Sequence, residues 1–338
     1  MSAVGFGAWQ LGSAHGGEWT NVSQDEGVAS LNQYLNAGGN FIDTANVYGG
    51  GLSEKTIAEV LRNRASVTKE RIYVVTKAGR SHGDPEHKLS DAPHSSANYT
   101  EEALLAAVDG SRRRLGVECL DLVQLHCPPL ACLNDGKVFE TLRSLKAAGK
   151  LEHWGVSVET VEEAMLCIAQ PDCASIQIIY NALRLKPADQ FFAAANAANV
   201  AVIIRLPLAS GLLAKGKGIR SHIAALPASD HRVFNASGKA FDKGESLSGL
   251  GEHLEDAVYP AVDQLTGLVP PGVAMSAYYL RFALMATPMC VVIPGMRSPQ
   301  QVDENLTAAA LPALGPEALA TINSVYDAHI RPLVHSQW

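Results

Sequence analysis

Eight short apolar runs, each followed by a stretch with helical periodicity, constrain this chain more than any other feature. The runs are residues 4–7, 41–43, 72–76, 121–125, 153–157, 175–179, 200–204 and 290–293. They are continuously apolar rather than alternating, the pattern of strands covered on both faces by helices in a parallel sheet. Eight such units in 338 residues favour a closed (β/α)8 TIM barrel, an α/β fold in a single domain, over an open sheet. No Gly-x-Gly-x-x-Gly follows the first run, so a Rossmann domain has little support.

The helix signals fit this alternation. Ser23-Gln24-Asp25-Glu26 reads as a capping box before Val28, Leu31, Tyr34 and Leu35. Ser53 reads as the cap of a helix carrying Ile57, Val60 and Leu61. Thr100 opens a helix through Leu104, Leu105, Val108 and Leu115, and further helices are predicted at 138–147, 160–168, 188–197 and 299–306. Two polar segments interrupt the rhythm, 81–97 and 216–251, and both read as long loops on the active face. A loop as long as the second is usually a lid or a binding loop. Lys215, Lys217, Arg220 and Arg232 cluster in and beside it, either as surface charge or to hold a phosphate.

The strands of a barrel deliver functional side chains from their C-terminal ends. Asp43 ends the second predicted strand, Lys77 closes the third and His126 the fourth, while Tyr48 stands in the loop after the second, before Gly49-Gly50-Gly51. Together they make a proton-transfer set. A phenol with an ordinary pKa near ~10 is a reluctant proton shuttle at neutral pH. An adjacent lysine ammonium stabilises the phenolate, and a carboxylate keeps that lysine charged. Tyr48 then serves as general acid in one direction and general base in the other. A neutral His126 would orient and polarise a carbonyl oxygen. Cys127, followed by Pro128-Pro129, reads as a loop wall rather than a nucleophile.

Composition excludes several other functions. A net charge of -7 argues against a nucleic-acid partner. No apolar run approaches the ~20 residues of a membrane span. Six scattered cysteines without a C-x-x-C suggest reduced thiols. The first Lys or Arg is Lys55, so neither a secretory nor a mitochondrial leader is expected, and the expected location is cytoplasmic. Without export, the sequons at Asn21, Asn98, Asn235 and Asn305 read as chance matches. His82, His87 and His94 lack tight ligand spacing, and no metal is expected.

A family resemblance runs in order from residue 4 to about residue 310. It is carried by Phe41-Ile42-Asp43-Thr44-Ala45 with Tyr48-Gly49, Thr76-Lys77, Arg112 to Gly116, Gln124-Leu125-His126 and Gly155-Val156-Ser157. Gln177 to Asn181, Pro207 to Leu213, and Ile293-Pro294-Gly295 with Gln301, Glu304 and Asn305 continue it. The chain resembles the aldo-keto reductases. That resemblance implies one NADP-dependent oxidoreductase domain, 1–338, binding NADP(H) in extended form, with a small carbonyl compound as substrate.

The resemblance also assigns the tetrad Asp43, Tyr48, Lys77 and His126, and a cofactor set that includes Gly7, Trp9 and Asp43. It implies that Ser157 and Gln177 hold the carboxamide, that Arg205 flanks the nicotinamide ring, and that Pro207, Leu208 and Gly211 line the pyrophosphate. The family lysine corresponds to Lys215 or Lys217. Gly295 follows, Arg297 would clamp the 2′-phosphate, and Gln301, Glu304 and Asn305 would meet the adenine end. Val158 stands where many members carry Asn, and the usual N-terminal hairpin is short or absent. The helix around residues 318–326 is then a candidate plug for the barrel floor. Trp9 and Trp19 are candidates to shape the substrate site. The competing reading is a non-enzymatic NADP(H)-binding regulatory subunit on the same barrel, as in potassium-channel β subunits.

Overall fold

A computed structural model describes residues 1–12, 23–64, 71–81, 96–228, 230–234 and 249–338. Eight parallel strands follow one another in chain order around a single sheet. They are β1 (Phe6–Gly7), β2 (Phe41–Asp43), β3 (Tyr73–Ala78), β4 (Leu120–His126), β5 (Leu151–Ser157), β6 (Cys173–Ile179), β7 (Ala201–Arg205) and β8 (Cys290–Val292). The sheet closes because the chain at β1 pairs in parallel with the chain at β8. Gly5 N donates to Val292 O at 2.8 Å and Gly7 N to Pro294 O at 3.1 Å. A methyl group at Gly7 would meet the carbonyls of Ile293 and Pro294 at 2.9 and 3.0 Å, so the seam needs glycine there. This is the (β/α)8 barrel expected from the strand count.

The crossover helices are α1 (Gln24–Asn36), α2 (Leu52–Arg64), α3 (Glu101–Leu115), α4 (Lys137–Ala147), α5 (Val161–Ile168), α6 (Pro187–Ala197), α7 (Met275–Leu284) and α8 (Pro299–Leu306). Each buries one apolar stripe against the sheet. Leu31 and Tyr34 of α1, Leu104 and Val108 of α3, and Leu142 and Leu145 of α4 are all buried. Each such side chain withdrawn from water contributes about 1.5–3 kcal/mol. The Ser23–Glu26 capping box forms as expected, and Thr160 with Glu163 makes a second one before α5.

Ser53 does not cap α2. The helix grows directly out of a tight turn, Tyr48–Gly51, in which Gly49 and Gly50 both take φ +61°. Ser53 lies one residue inside the helix, buried, with its hydroxyl 2.8 Å from Thr44 Oγ1 and donating to Ala8 O at 2.9 Å. It ties the ends of β1 and β2 to α2 instead of satisfying the helix's own amides.

The inner face of the barrel is filled in layers. Phe41, Val75, Ile203 and Ile293 pack together, with Tyr73, Leu122 and Val291 against them. At the N-terminal ends of the strands, Arg71 pairs with Asp121 and Glu152 and stacks over Tyr73. The segment expected to plug the floor lies elsewhere. It forms a helix, Pro316–Val325, reached after Arg281 of α7 donates to Pro312 O. Its end at Tyr326 borders Ile179 and Arg184, at the C-terminal side of β6. Apolar strand side chains fill the interior without it.

Within the segment 216–251, the described parts form short helices at Ile219–Ala224 and His231–Phe234 rather than an irregular loop. His82, His87, His94, Trp19, and the sequons at Asn21 and Asn235 lie outside the described residues. Among the described residues, no helix is long and apolar enough to cross a membrane.

Candidate active site

Period-two alternation along the strands sends Asp43, Lys77, Gln124, His126, Ser157, Gln177 and Arg205 to one surface, the inside of the barrel near its C-terminal rim. Lys77 is paired with Gln124, His126 with Ser157, and Ser157 with Gln177 in the cross-strand register. An isolated polar group here would be costly, and Asp43, Lys77, Gln124 and Gln177 satisfy one another.

Lys77 is the hub. It is 1% exposed, yet its Nζ donates to Asp43 Oδ1 at 2.6 Å, Thr44 O at 2.9 Å and Tyr48 Oη at 3.3 Å. A lysine ammonium has three N–H bonds, so those three partners account for its donor capacity. Asp43 is held from its other side, where Gln177 Nε2 donates to Oδ2 at 2.8 Å. The same amide nitrogen donates to Gln124 Oε1 at 2.8 Å, and Gln124 Nε2 donates to Ser175 Oγ at 3.1 Å. A buried chain of polar groups thus fixes the carboxylate that fixes the lysine.

Tyr48 is half-buried. Trp9 stacks on one side of it, with ring centroids 5.9 Å apart, and the edge of His126 meets it at 6.1 Å. The tyrosine turn is placed by close approach to the chain at Gly12, where an added Cβ would collide with the backbone of Tyr48 and Gly49. His126 is 5% exposed. Its carbonyl accepts from Arg80 Nε at 3.0 Å and Tyr99 Oη at 2.6 Å, which pins the end of β4. Cys127 follows in the left-handed region at φ +52°, its Sγ 3.5 Å from Arg205 Nη2.

A cleft opens beside this cluster and runs across β1, β7 and β8 to α8. Its empty space, open mouth included, is about 1330 Å³. Asp43 and Tyr48 stand at one end of it. Of the residues predicted to bind a cofactor, Gly7, Trp9, Gln177, Arg205, Pro207, Leu208, Gly211, Lys215, Gly295, Arg297, Gln301, Glu304 and Asn305 line it too. Ser157 adds no surface to the cleft; it lies beside His126, with its Oγ 3.7 Å from Cys127 Sγ. Arg205 reaches across to Val158 O at 3.2 Å. Arg220 turns away from the cleft, pairing with Asp263 at 3.1 Å and stacking on Tyr259, so it is not placed to hold a phosphate there.

Several lining residues escaped sequence reasoning. Gln10 lines the cleft while its Nε2 donates to Met296 O at 2.9 Å. His222 and Ser276 line it as well. Nothing in the local pattern marks these three, since their neighbours in the cleft are remote in sequence. Ser210 sits in a run of three left-handed residues, Ala209, Ser210 and Gly211, with φ +48°, +56° and +99°. Two of these are not glycine, a conformation that is costly unless its surroundings impose it. The buried Ser210 hydroxyl has no hydrogen-bond partner among the described residues and lies on the cleft wall. Such a hydroxyl suits an anionic oxygen of a bound ligand.

The comparisons with known proteins agree with this architecture. The model of the Aldo/keto reductase family matches residues 3–327. L-galactose dehydrogenase of Arabidopsis thaliana is 25% identical over 345 aligned positions, covering 100% of this chain and 93% of that protein. The solved glycerol dehydrogenase of Gluconobacter oxydans superposes with a TM-score of 0.76 at 25% identity, covering 98% of this chain and 93% of that one. An aldo/keto reductase of Klebsiella pneumoniae, solved with NADP and acetate, shares the fold with a TM-score of 0.63 at 21% identity, covering 96% and 91% of the two chains.

Proposed function

This chain belongs to the aldo/keto reductase family, oxidoreductases that use nicotinamide cofactors, and on that premise we propose that it reduces an aldehyde or ketone with NADPH, Tyr48 giving the proton. The observation that carries the reading is the buried Lys77 ammonium 3.3 Å from Tyr48 Oη and 2.6 Å from Asp43.

The cleft residues suit a dinucleotide. The Ser210 hydroxyl, buried without a partner among the described residues, offers a hydrogen bond to a pyrophosphate oxygen. Gln177 uses its amide N–H groups on Asp43 and Gln124, which leaves the carboxamide acceptor Oε1 for an amide N–H of the ligand. Arg297 faces the far end with a guanidinium that matches a phosphate bidentately. When bound, the nicotinamide supplies the hydride that reaches the carbonyl carbon.

The chain's own residues handle the proton. The carbonyl oxygen sits between Tyr48 Oη and the His126 imidazole, which orients it by hydrogen bonding. As negative charge develops on that oxygen, the Tyr48 proton moves onto it. The resulting phenolate is stabilised by the Lys77 ammonium, whose charge Asp43 secures. Trp9 covers one face of the phenol and limits water there. Solvent then returns a proton to Tyr48. In the reverse direction the phenolate takes the proton from an alcohol, and the same groups oxidise it.

Tyr48→Phe tests the reading. NADPH consumption across a panel of aldehydes, ketones, sugars and quinones should be lost in the variant, with NADPH binding within about twofold of the parent, because the ring and its stacking on Trp9 remain while the proton is gone. Turnover retained by the variant refutes the role of Tyr48. No turnover by the parent on any of the panel favours a binding subunit.

A further inference from the structure

His126 ends β4, and side chains from outside the sheet hold its main chain. The peptide between His126 and Cys127 points its N–H at β5, where Cys127 N donates to Ser157 O at 2.9 Å. In a trans peptide the carbonyl then points the opposite way, toward β3. The pairing of β3 with β4 stops one residue earlier, at Ala78 and Leu125. The chain turns off at Gly79, which takes φ +101°. So the His126 carbonyl lies beyond the paired part of β3, and two side chains stand where a strand would continue. Arg80 Nε donates to it at 3.0 Å and Tyr99 Oη at 2.6 Å, filling both of its lone pairs.

Both donors come from one small feature. A two-stranded antiparallel ribbon pairs Arg80 with Ala97 and Ser81 with Ser96. Asn98 N then donates to Gly79 O at 2.8 Å. The Tyr99 ring lies directly on Gly79, where an added Cβ would collide with it. Its hydroxyl is also 3.1 Å from Cys127 O. Cys127 sits at φ +52°, a conformation that persists in a non-glycine residue only where the surroundings impose it.

Arg80 reaches the other proton-transfer group as well. Its carbonyl accepts from Asn46 Nδ2 at 2.8 Å, and Asn46 stands two residues before Tyr48 in the same loop. The Tyr48 and His126 rings are 6.1 Å apart and nearly perpendicular, at 86°. A carbonyl oxygen gripped between them must meet each donor at about 3 Å. Small displacements of either ring would therefore be felt in turnover. Neither Arg80 nor Tyr99 lines the cleft; Tyr99 borders a separate hollow with Thr100, Cys132 and Val138.

We propose that Arg80 and Tyr99 are positioning residues for carbonyl reduction: by holding the main chain at His126 they fix its imidazole against Tyr48 and set the slot that grips the carbonyl oxygen. This rests on the roles given above to Tyr48 and His126. Arg80 and Tyr99 touch no substrate and move no proton.

The test compares Tyr99→Phe, Arg80→Met and Arg80→Lys in the full chain, each alone and combined with His126→Ala. It reads kcat and KM on the best carbonyl substrate, and NADPH affinity by protein fluorescence. It also reads the imidazole signals of His126 in nitrogen-15 histidine-labelled protein, assigned as those lost in His126→Ala. Tyr99→Phe keeps the ring on Gly79 and removes one hydrogen bond, so kcat/KM should fall about five- to tenfold. Arg80→Met and Arg80→Lys should each lose about tenfold or more, since neither replaces the Nε–H. NADPH affinity should stay within about twofold of the parent in all three. With His126→Ala in place, the same substitutions should change turnover by less than about twofold, because nothing remains to be positioned. The His126 signals should broaden or double in each single variant. Unchanged turnover in the single variants, or a loss equally large with and without His126, overturns the proposal. So does full turnover in Arg80→Lys beside a loss in Arg80→Met, which would assign the effect to charge. If His126→Ala is too slow to time, the imidazole signals decide, and unaltered signals overturn the positioning role. If the Arg80 variants fail to fold by circular dichroism, Tyr99→Phe decides. A parent chain that reduces no carbonyl compound overturns the roles of Tyr48 and His126 and this one with them, whereas an active parent with unaffected variants overturns this one alone.

Discussion

Replacing Lys77 by methionine separates what the lysine contributes to folding from what it contributes to chemistry. The substitution keeps an unbranched side chain of similar reach but removes the ammonium and its bonds to Asp43, Thr44 and Tyr48. Asp43 is 2% exposed, so water cannot replace the lost partner, and only the Gln177 amide remains on Oδ2. Stranding one member of a buried pair costs about 3–5 kcal/mol. With a urea slope of roughly 3 kcal/mol per molar, the midpoint of the main unfolding transition should fall by about 1–1.7 M. Turnover should fall by about 10²–10⁴, the usual worth of positioned proton transfer. The double variant Asp43→Asn/Lys77→Met strands no charge and should recover more than half of the lost midpoint. Its turnover should remain lost, because nothing stabilises the Tyr48 phenolate. Urea denaturation followed by circular dichroism, with NADPH consumption on the best substrate, reads both quantities. A single variant as stable as the parent, or a double variant that regains turnover, would refute the reasoning.

Three further outcomes follow from particular contacts. Gly12→Ala puts a methyl group into the backbone of Tyr48 and Gly49, so kcat should drop by at least about tenfold through misplacement of the phenol, while AMP affinity is kept; an unchanged kcat would show that the turn yields easily. Arg114→Met leaves Glu54, which is fully buried and held by Arg114 at 2.5 Å and Thr76 at 2.6 Å, without its cation. That should cost about 3 kcal/mol or more in urea denaturation, and a smaller loss would mean that Thr76 alone satisfies the carboxylate. The His222 pKa is lowered to about 4 by burial and nearby cations, so the unfolded chain takes up that proton first as the solution is acidified. The stability this group contributes is therefore present above about pH 6.5 and lost as the pH falls through about 4. His222→Gln should flatten the fall in urea midpoint over that window, and parallel curves for the two proteins would contradict it.

Much of the barrel was legible because each unit announces itself locally. The capping box at Ser23 and the span of α8 match their sequence signals residue for residue, since caps and proline at the first turn act within a few residues. Ser53 misled because the same residue type that caps a helix also serves as a buried tether when the chain enters the helix from a glycine turn. Arg220 and Arg232 were indistinguishable as members of one basic cluster. One pairs with Asp263 outside the cleft and the other is pinned on Asp230 inside it.

The sequence by itself determined the strand–helix rhythm and placed Asp43 and His126 as the last residues of their strands and Lys77 within one residue of the end of its own, because backbone sterics and the periodicity of burial operate over short distances. Only the tertiary structure decided that Gln177 reaches Asp43 across 134 residues, and that Gln10, Ser210 and His222 share one cleft wall. Those contacts depend on the register with which the sheet closes and on the rotamers that closure permits. A shift of one residue in that register would send each of the inward polar groups to the opposite face.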